Sequence, residues 1–309
     1  MHEVDTMKTA FVFAGQGAQY EGMGKSLYET SGTARKLLDS LETHRPGLKE
    51  LLFTGSKEEL SRTENTQACV YAVGLMAFTA AIEAGMRPAM LAGFSLGEYC
   101  ALAAGGAYTA QEGFLLVEKR AKLMAEAAKA GGGMAAVLKL PEEDVVRICA
   151  ETGNVWPVNF NCPGQISCSG TKEAVDALIK RVIEAGGRAL PIAVSGAFHT
   201  PLMESAYQGL QKELQGITLH VLHFPVYANT TAEPYGPEIS EQLALQVKSP
   251  VLWERTIRNM AANGAEAFVE LGPGKVLTGF TKRIFPDAKT ANIEDAQTLE
   301  AAKKLIVNN

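Results

Sequence analysis

The sequence predicts an α/β protein in two parts: a large domain built on a parallel sheet, and a small α+β domain inserted into it. Two features carry that reading. Short apolar runs enter glycine-bearing turns and give way to helix-prone segments, the rhythm of a parallel sheet whose C-terminal edge meets ligands. Between residues 131 and 195 the rhythm changes to strand, helix, strand, strand, helix, strand, the ferredoxin-like order. The expected domains are therefore 1–130 with 196–309, and 131–195.

Phe11-Val12-Phe13 is the first strand, and it runs into the loop Ala14-Gly15-Gln16-Gly17-Ala18-Gln19. Nucleotide motifs fail at this loop. Before Gly24-Lys25-Ser26 a phosphate loop would need glycine where Gln19 stands, and after Gly15-x-Gly17 a dinucleotide loop would need it where Tyr20 stands. ATP and dinucleotide sites are excluded, and no cofactor is expected. The uncharged run 68–82 is too short for a membrane span, holds Gly74 and is closed by Glu83, so it reads as a buried central helix. The apolar run 89–92 is the next strand, followed by helix-prone residues 96–104. Thr109 with Glu112 forms a capping box for a helix running to about Ala130, where Gly131-Gly132-Gly133 breaks it as a hinge.

The small domain then reads as a strand over 134–140, a helix from Pro141, strands over 155–158 and 165–169, a helix after Thr171, and a strand over 188–194. Back in the large domain, Val226-Tyr227-Ala228 and the run 267–271 are strands, the second entering Gly272-Pro273-Gly274. No internal repeat or low-complexity tract interrupts this order.

Composition narrows the function. At 47% hydrophobic and 20% charged, 309 residues suffice for one large core and a satellite. A net charge of -5 argues against a nucleic-acid binder that works by neutralising phosphates. The cysteines (Cys69, Cys100, Cys149, Cys162, Cys168) form no C-x-x-C pair, so neither a zinc site nor a disulfide framework is indicated, and reduced thiols in a cytoplasm are expected. Met1-His2-Glu3-Val4-Asp5 lacks the basic and apolar segments of a signal peptide, and no membrane partner is expected.

Gly93-Phe94-Ser95-Leu96-Gly97 sits where a strand gives way to a helix, the setting of a nucleophile elbow. With 30 glycines in the chain, chance supplies a G-x-S-x-G on the order of 0.1 times, so the setting must carry the reading. Ser95 would attack, and the next amide would meet an oxyanion at a helix N-terminus. A serine needs a base. His2 is in a tail, His44 in a polar turn, and His220 and His223 flank a strand; His199 precedes Thr200-Pro201, an N-cap and first helical residue. A helix N-terminus keeps imidazole neutral. A capping-region histidine without catalytic part is the other reading, and both stand.

Arg120 shares a helix face with Gly113, Leu116, Leu123 and Ala127. Such an arginine most often snorkels to water; otherwise its planar fork wants a carboxylate. Glu270 and Asp295 are available as a third catalytic member and nothing marks either. A dyad is expected, with a backbone carbonyl or an amide orienting His199.

Across nearly its whole length the chain resembles the malonyl-CoA:acyl carrier protein transacylase family. The resemblance rests on 13–19, 93–99, Leu116-Val117-Glu118-Lys119-Arg120, Asn161-Cys162-Pro163-Gly164-Gln165, Ala197-Phe198-His199, 246–251 and 272–277. It implies a serine acyltransferase of fatty-acid synthesis with a large α/β-hydrolase-like domain and a ferredoxin-like insertion. By family motif Ser95 takes the acyl group, His199 is the base, and the main chain at Gln246 orients its ring. The amides of Gln16 and Leu96 form the oxyanion hole. Arg120 grips the malonyl carboxylate, Asn161 lies near the substrate, and Phe198 follows the malonyl-selective pattern.

Malonyl-CoA and acyl carrier protein are the implied partners, in a ping-pong reaction, and a monomer is expected. Lys275, Lys282, Arg283, Lys180, Arg181 and Arg188 are candidates for a basic patch facing the acidic carrier, against the plain reading of solvated charges. One departure stands out: the family commonly has histidine before the nucleophile, and here Phe94 stands there. The rival readings are a discrete acyltransferase or acyl hydrolase serving a polyketide synthase, and a non-catalytic carrier-binding scaffold. Too few strands precede Ser95 for the usual α/β-hydrolase order.

Overall fold

The structure is a computed structural model describing residues 7–194 and 196–307. The expectations for the tail 1–5 lie outside those residues, as does the last residue of the 131–195 insertion. Among the described residues nine strands form two sheets: β1 Thr9–Phe13, β2 Met90–Gly93, β3 Gly133–Leu138, β4 Val155–Cys162, β5 Gln165–Gly170, β6 Arg188–Ile192, β7 Val226–Tyr227, β8 Ala267–Leu271 and β9 Lys289–Ile293. The fold is the α/β class read from the sequence, a parallel sheet plus a small antiparallel one. Two compact units account for the described chain.

The first unit comprises the described residues of Met1–Glu118, Thr218–Tyr227 and Ile257–Asn309. Its sheet runs β7-β2-β1-β8-β9, every pairing parallel. β1, β2 and β8 are buried along their whole length, as apolar strands covered on both faces must be. The helix Thr63–Glu83 is long and apolar enough to cross a membrane, yet 78% of its most apolar window is buried. Phe78 on this helix packs edge-on against Phe11 and tilted against Phe13 of β1, ring centroids 6.3 and 6.1 Å apart, as a core helix does. β9 escapes sequence reading because Lys-Thr-Ala-Asn-Ile is a half-exposed edge strand with no apolar run. Register matters most for the site: Phe13 stands opposite both Gly93 and Leu271, so three strands end level and their loops leave one sheet edge together.

The second unit comprises the described residues of Lys119–Ile217 and Ala228–Thr256. It is wider than the 131–195 insertion, and its boundary with the first falls inside the helix Ala110–Ala128. Its antiparallel sheet has the order β4-β5-β3-β6, with the helices Glu142–Thr152 and Lys172–Glu184 as crossovers. This is the ferredoxin-like arrangement. Val175, Leu178 and Val182, spaced for one helix face, close its core with Val145, Ile148, Ile166 and Cys168.

Several bounds move. The helix capped by Thr109 and Glu112 ends at Ala128, and Gly133 opens β3 opposite Gly170 instead of belonging to the hinge. β6 stops at Ile192, where Val194 N turns back to Ile192 O at 2.8 Å. β4 runs on past Val158 to Cys162: Asn159 and Asn161 break its apolar pattern, and register shifts flank them.

Candidate active site

β2 ends at Gly93, and Ser95 takes left-handed backbone, φ 51, before the helix Gly97–Ala104 begins. A non-glycine residue in that region is uncommon and is held there by its surroundings. Both flanking glycines are sterically required. A Cβ on Gly93 would overlap the main chain of Gly97, and one on Gly97 would overlap the carbonyl of Phe13. Glycine at both positions thus lets the strand and helix approach this closely, the geometry of a nucleophile elbow. The turn is closed by Gly97 N to Phe94 O at 2.9 Å, Glu98 N to Ser95 O at 3.1 Å and Tyr99 N to Leu96 O at 3.0 Å.

The Gln16 loop leaves β1 beside this elbow. Phe94 N donates to Phe13 O at 3.0 Å, and a Cβ on Gly15 would stand 2.6 Å from Phe94 O. Among the described residues neither the Gln16 nor the Leu96 amide donates a hydrogen bond. Uncommitted N–H groups of this kind are what an oxyanion hole requires. The Phe94 ring lies 6.4 Å from that of Phe280, tilted by 46°, so aromatic packing occupies the position before the nucleophile.

Glu294, passed over in the sequence, anchors this loop from behind. It accepts from Tyr20 Oη at 2.9 Å and from Gly274 N at 2.8 Å, while Asn292 Nδ2 donates to Gly274 O and to Glu294 Oε1, each at 3.2 Å. The loops after β1 and β8 are tied together through one carboxylate. Tyr20 and Glu294 are 274 positions apart, and no local pattern signals such a pair. Glu270 is spent elsewhere than on catalysis: buried to 1% exposure, it accepts from the amides of Leu277 at 3.1 Å and Thr278 at 2.7 Å and so caps the helix Val276–Ile284. Burial pushes its carboxyl up to about 7 despite those donors. Asp295 caps the helix Ala296–Ile306 through Thr298 N at 2.7 Å. His220 and His223 are held by main-chain bonds to Ala107 and Gly105.

The second unit builds a different cluster. His199 is a left-handed residue, φ 62, and is 5% exposed. Its amide donates to Val247 O at 3.0 Å, and its Nδ1 lies 2.9 Å from Gln246 O and 3.2 Å from Ser249 O. Carbonyls only accept, so Nδ1 carries the proton and Nε2 is the acceptor nitrogen. Burial, and next the charge of Arg120, push the imidazole pKa down to about 4, against the two carbonyls that raise it. The neutral ring expected from a helix N-terminus therefore has another main cause. Thr200 does cap the short turn Pro201–Met203, accepting from Leu202 N at 3.2 Å.

Arg120 is 1% exposed and does not snorkel. Its Nη2 donates to Gln246 Oε1 at 3.0 Å, and Gln246 Nε2 donates to Asn229 Oδ1 at 3.4 Å. The Gln246 side chain and Asn229 were invisible to sequence reading. Phe198 is 7% exposed and crowds Gly196, where a Cβ would stand 2.7 Å from its ring. Asn161, 4% exposed, donates to Ser167 Oγ at 3.2 Å, and its Oδ1 has no partner among the described residues. Its strand is bridged in parallel to the segment carrying Ser249, through Asn159 and Val251. Ser95, Leu96 and Gln16 thus belong to the first unit, and Arg120, Asn161, Phe198, His199 and Gln246 to the second.

The chain is similar to known proteins over nearly its whole length. The acyl transferase domain family matches residues 10–304. A malonyl CoA-acyl carrier protein transacylase of Bacillus subtilis (strain 168) is 40% identical over 304 residues, 96% of either chain. Among solved structures, the malonyl CoA-acyl carrier protein transacylase of Clostridium perfringens superposes with a TM-score of 0.94 at 36% identity, over 97% of this chain and 98% of that one. A malonyl-transacylase in complex with a type II polyketide synthase acyl-carrier protein does so at 0.93 and 35% identity, over 98% and 100%.

Proposed function

This chain belongs to the malonyl-CoA:acyl carrier protein transacylase family and is an acyltransferase; from that premise we propose that it carries malonyl from malonyl-CoA to the phosphopantetheine thiol of an acyl carrier protein, through an ester on Ser95. The observation that carries the proposal is the tautomer of His199. With Nδ1–H given to two carbonyls, Nε2 is the basic nitrogen, and burial keeps it unprotonated at neutral pH.

Ser95 Oγ attacks the thioester carbonyl while Nε2 of His199 takes its proton. The amides of Gln16 and Leu96 hold the oxyanion, a contribution of about 3 kcal/mol for each donor. Collapse expels the thiolate of coenzyme A, which leaves as thiol with the proton from His199. The carrier's thiol then gives its proton to Nε2, attacks the ester, and Ser95 departs with that proton. Arg120 receives the malonyl carboxylate, Phe198 walls the acyl pocket, and Asn161 lies near the substrate. A buried guanidinium without an anion is costly, so acetyl thioesters load poorly.

The enzyme works as a cytoplasmic monomer on this reading, with 131–195 as its inserted domain and fatty-acid synthesis as its pathway. The relative seated on a polyketide carrier supports a second destination for the malonyl group. Intact mass after separate mixing with malonyl-, methylmalonyl- and acetyl-CoA tests the reaction. The expected result is one malonyl adduct on Ser95, discharged only when a carrier is added. Rapid loss to water would instead indicate an acyl hydrolase, and no adduct at all a scaffold.

A further inference from the structure

Gln246 is committed twice, by two different parts of the residue. Its main-chain carbonyl accepts from Nδ1 of His199, and its side-chain Oε1 accepts from Nη2 of Arg120. It is wholly buried, and it opens the tight turn Gln246–Lys248, which continues the helix Ile239–Leu245. Arginine has donors only, so the oxygen end of the carboxamide must face Arg120. The amino end then faces Oδ1 of Asn229, also wholly buried, whose main-chain oxygen in turn accepts from Leu252 N at 2.9 Å. The amide cannot flip without setting donor against donor at Arg120 and acceptor against acceptor at Asn229.

We propose that the Gln246 side chain is a positioning residue for acyl-group selectivity, which aims the Arg120 guanidinium at the free carboxylate of a diacid thioester and is itself held in orientation by Asn229. The proposal rests on the functional reading above. Its physical content lies in the choice of acceptor. A neutral amide orients the guanidinium through a hydrogen bond and leaves its positive charge in place. A carboxylate in the same position would hold it through a charge-assisted pair and compete with the substrate's own carboxylate. The two outputs of Gln246 are also separable, because a side-chain substitution keeps the main-chain carbonyl that orients His199.

Gln246→Glu keeps the size and supplies the competing charge; Gln246→Met keeps the shape and removes the acceptor. Both are compared with the parent for loading from malonyl-CoA and acetyl-CoA, with kcat and KM separated and folding checked by circular dichroism and Tm. The expected result is a malonyl KM raised about tenfold or more, with acetyl loading within about threefold of the parent, so that the malonyl-to-acetyl ratio of kcat/KM falls by about one order of magnitude. A folded variant that retains the parent ratio overturns the proposal. So does an equal loss on both substrates, which marks a merely structural residue. If the buried glutamate prevents folding, the methionine variant decides alone. Failure of the parent protein to form a malonyl ester on Ser95 would instead overturn the proposed function, and the two failures are distinguishable.

Discussion

Ser95 and His199 both take left-handed backbone, with φ of 51 and 62, and are held there in opposite ways. A left-handed conformation costs a non-glycine residue about 1 kcal/mol, so something must enforce each. At Ser95 it is crowding added to the turn's own main-chain bonds: two strands and a helix meet so closely that Gly93 and Gly97 admit no side chain. At His199 it is hydrogen bonding, from its amide to Val247 and from its ring to Gln246 and Ser249. A site held by packing should fail as a fold when crowded. One held by hydrogen bonds should fail as chemistry, residue by residue, while the fold survives.

The largest effect belongs to the chemistry at the elbow. Ser95→Ala should lower kcat/KM by about 10⁴-fold or more and abolish the malonyl adduct in intact mass, with the folded state kept. Gly93→Ala tests the crowding itself. It should cost about 3–5 kcal/mol in urea unfolding, whereas Gly236→Ala, where a Cβ meets open space, should stay within about 0.5 kcal/mol. Equal Tm values for the two variants would break the comparison.

Arg120→Ala should weaken malonyl loading by about 10²-fold and acetyl loading by far less, measured by adduct formation; an equal loss on both removes Arg120 from the diacid grip. The pH dependence sharpens the hydrogen-bonded side. With His199 held near 4, malonyl kcat/KM should stay level from pH 8 to about 5, and an inflection at the ordinary imidazole value of 6.5 would contradict the buried neutral ring. The unfolded chain takes up a proton at His199 between pH 6.5 and 4 that the folded chain refuses, so this residue lowers stability as pH falls through that window. Glu270 acts in the other direction: its carboxyl is raised from 4.5 to about 7, so the stability it contributes is present below 4.5 and lost as pH rises through 7. His199→Asn should therefore flatten the acid limb of the urea midpoint. The smallest effect is expected at Phe94→His, which exchanges an aromatic contact with Phe280 for the family's usual residue and should change stability by about 1 kcal/mol or less.

How far the site could be read from the chain follows the same division. The elbow, the capping box at Thr109 and the crossover helices were legible because glycine sterics, caps and helical periodicity act within a few residues. β9 and the far half of β4 were not, since an edge strand and a bulged one lack a clean apolar pattern. Arg120 could be assigned to the apolar face of its helix, but its Gln246 partner lies 126 positions away. The Tyr20–Glu294 bond that anchors the Gln16 loop spans 274. By itself the sequence determined most of the elements and the elbow, because those properties are local, whereas Ser95, His199 and Arg120 as nucleophile, base and cation were implied by the family resemblance. The main-chain role of Gln246 was implied by the family motif, but tertiary structure alone decided that Ser249 O shares the histidine proton, which amide meets the guanidinium and which carboxylate ties the loops. Those contacts come from packing segments remote in sequence, and nothing in either segment encodes its partner.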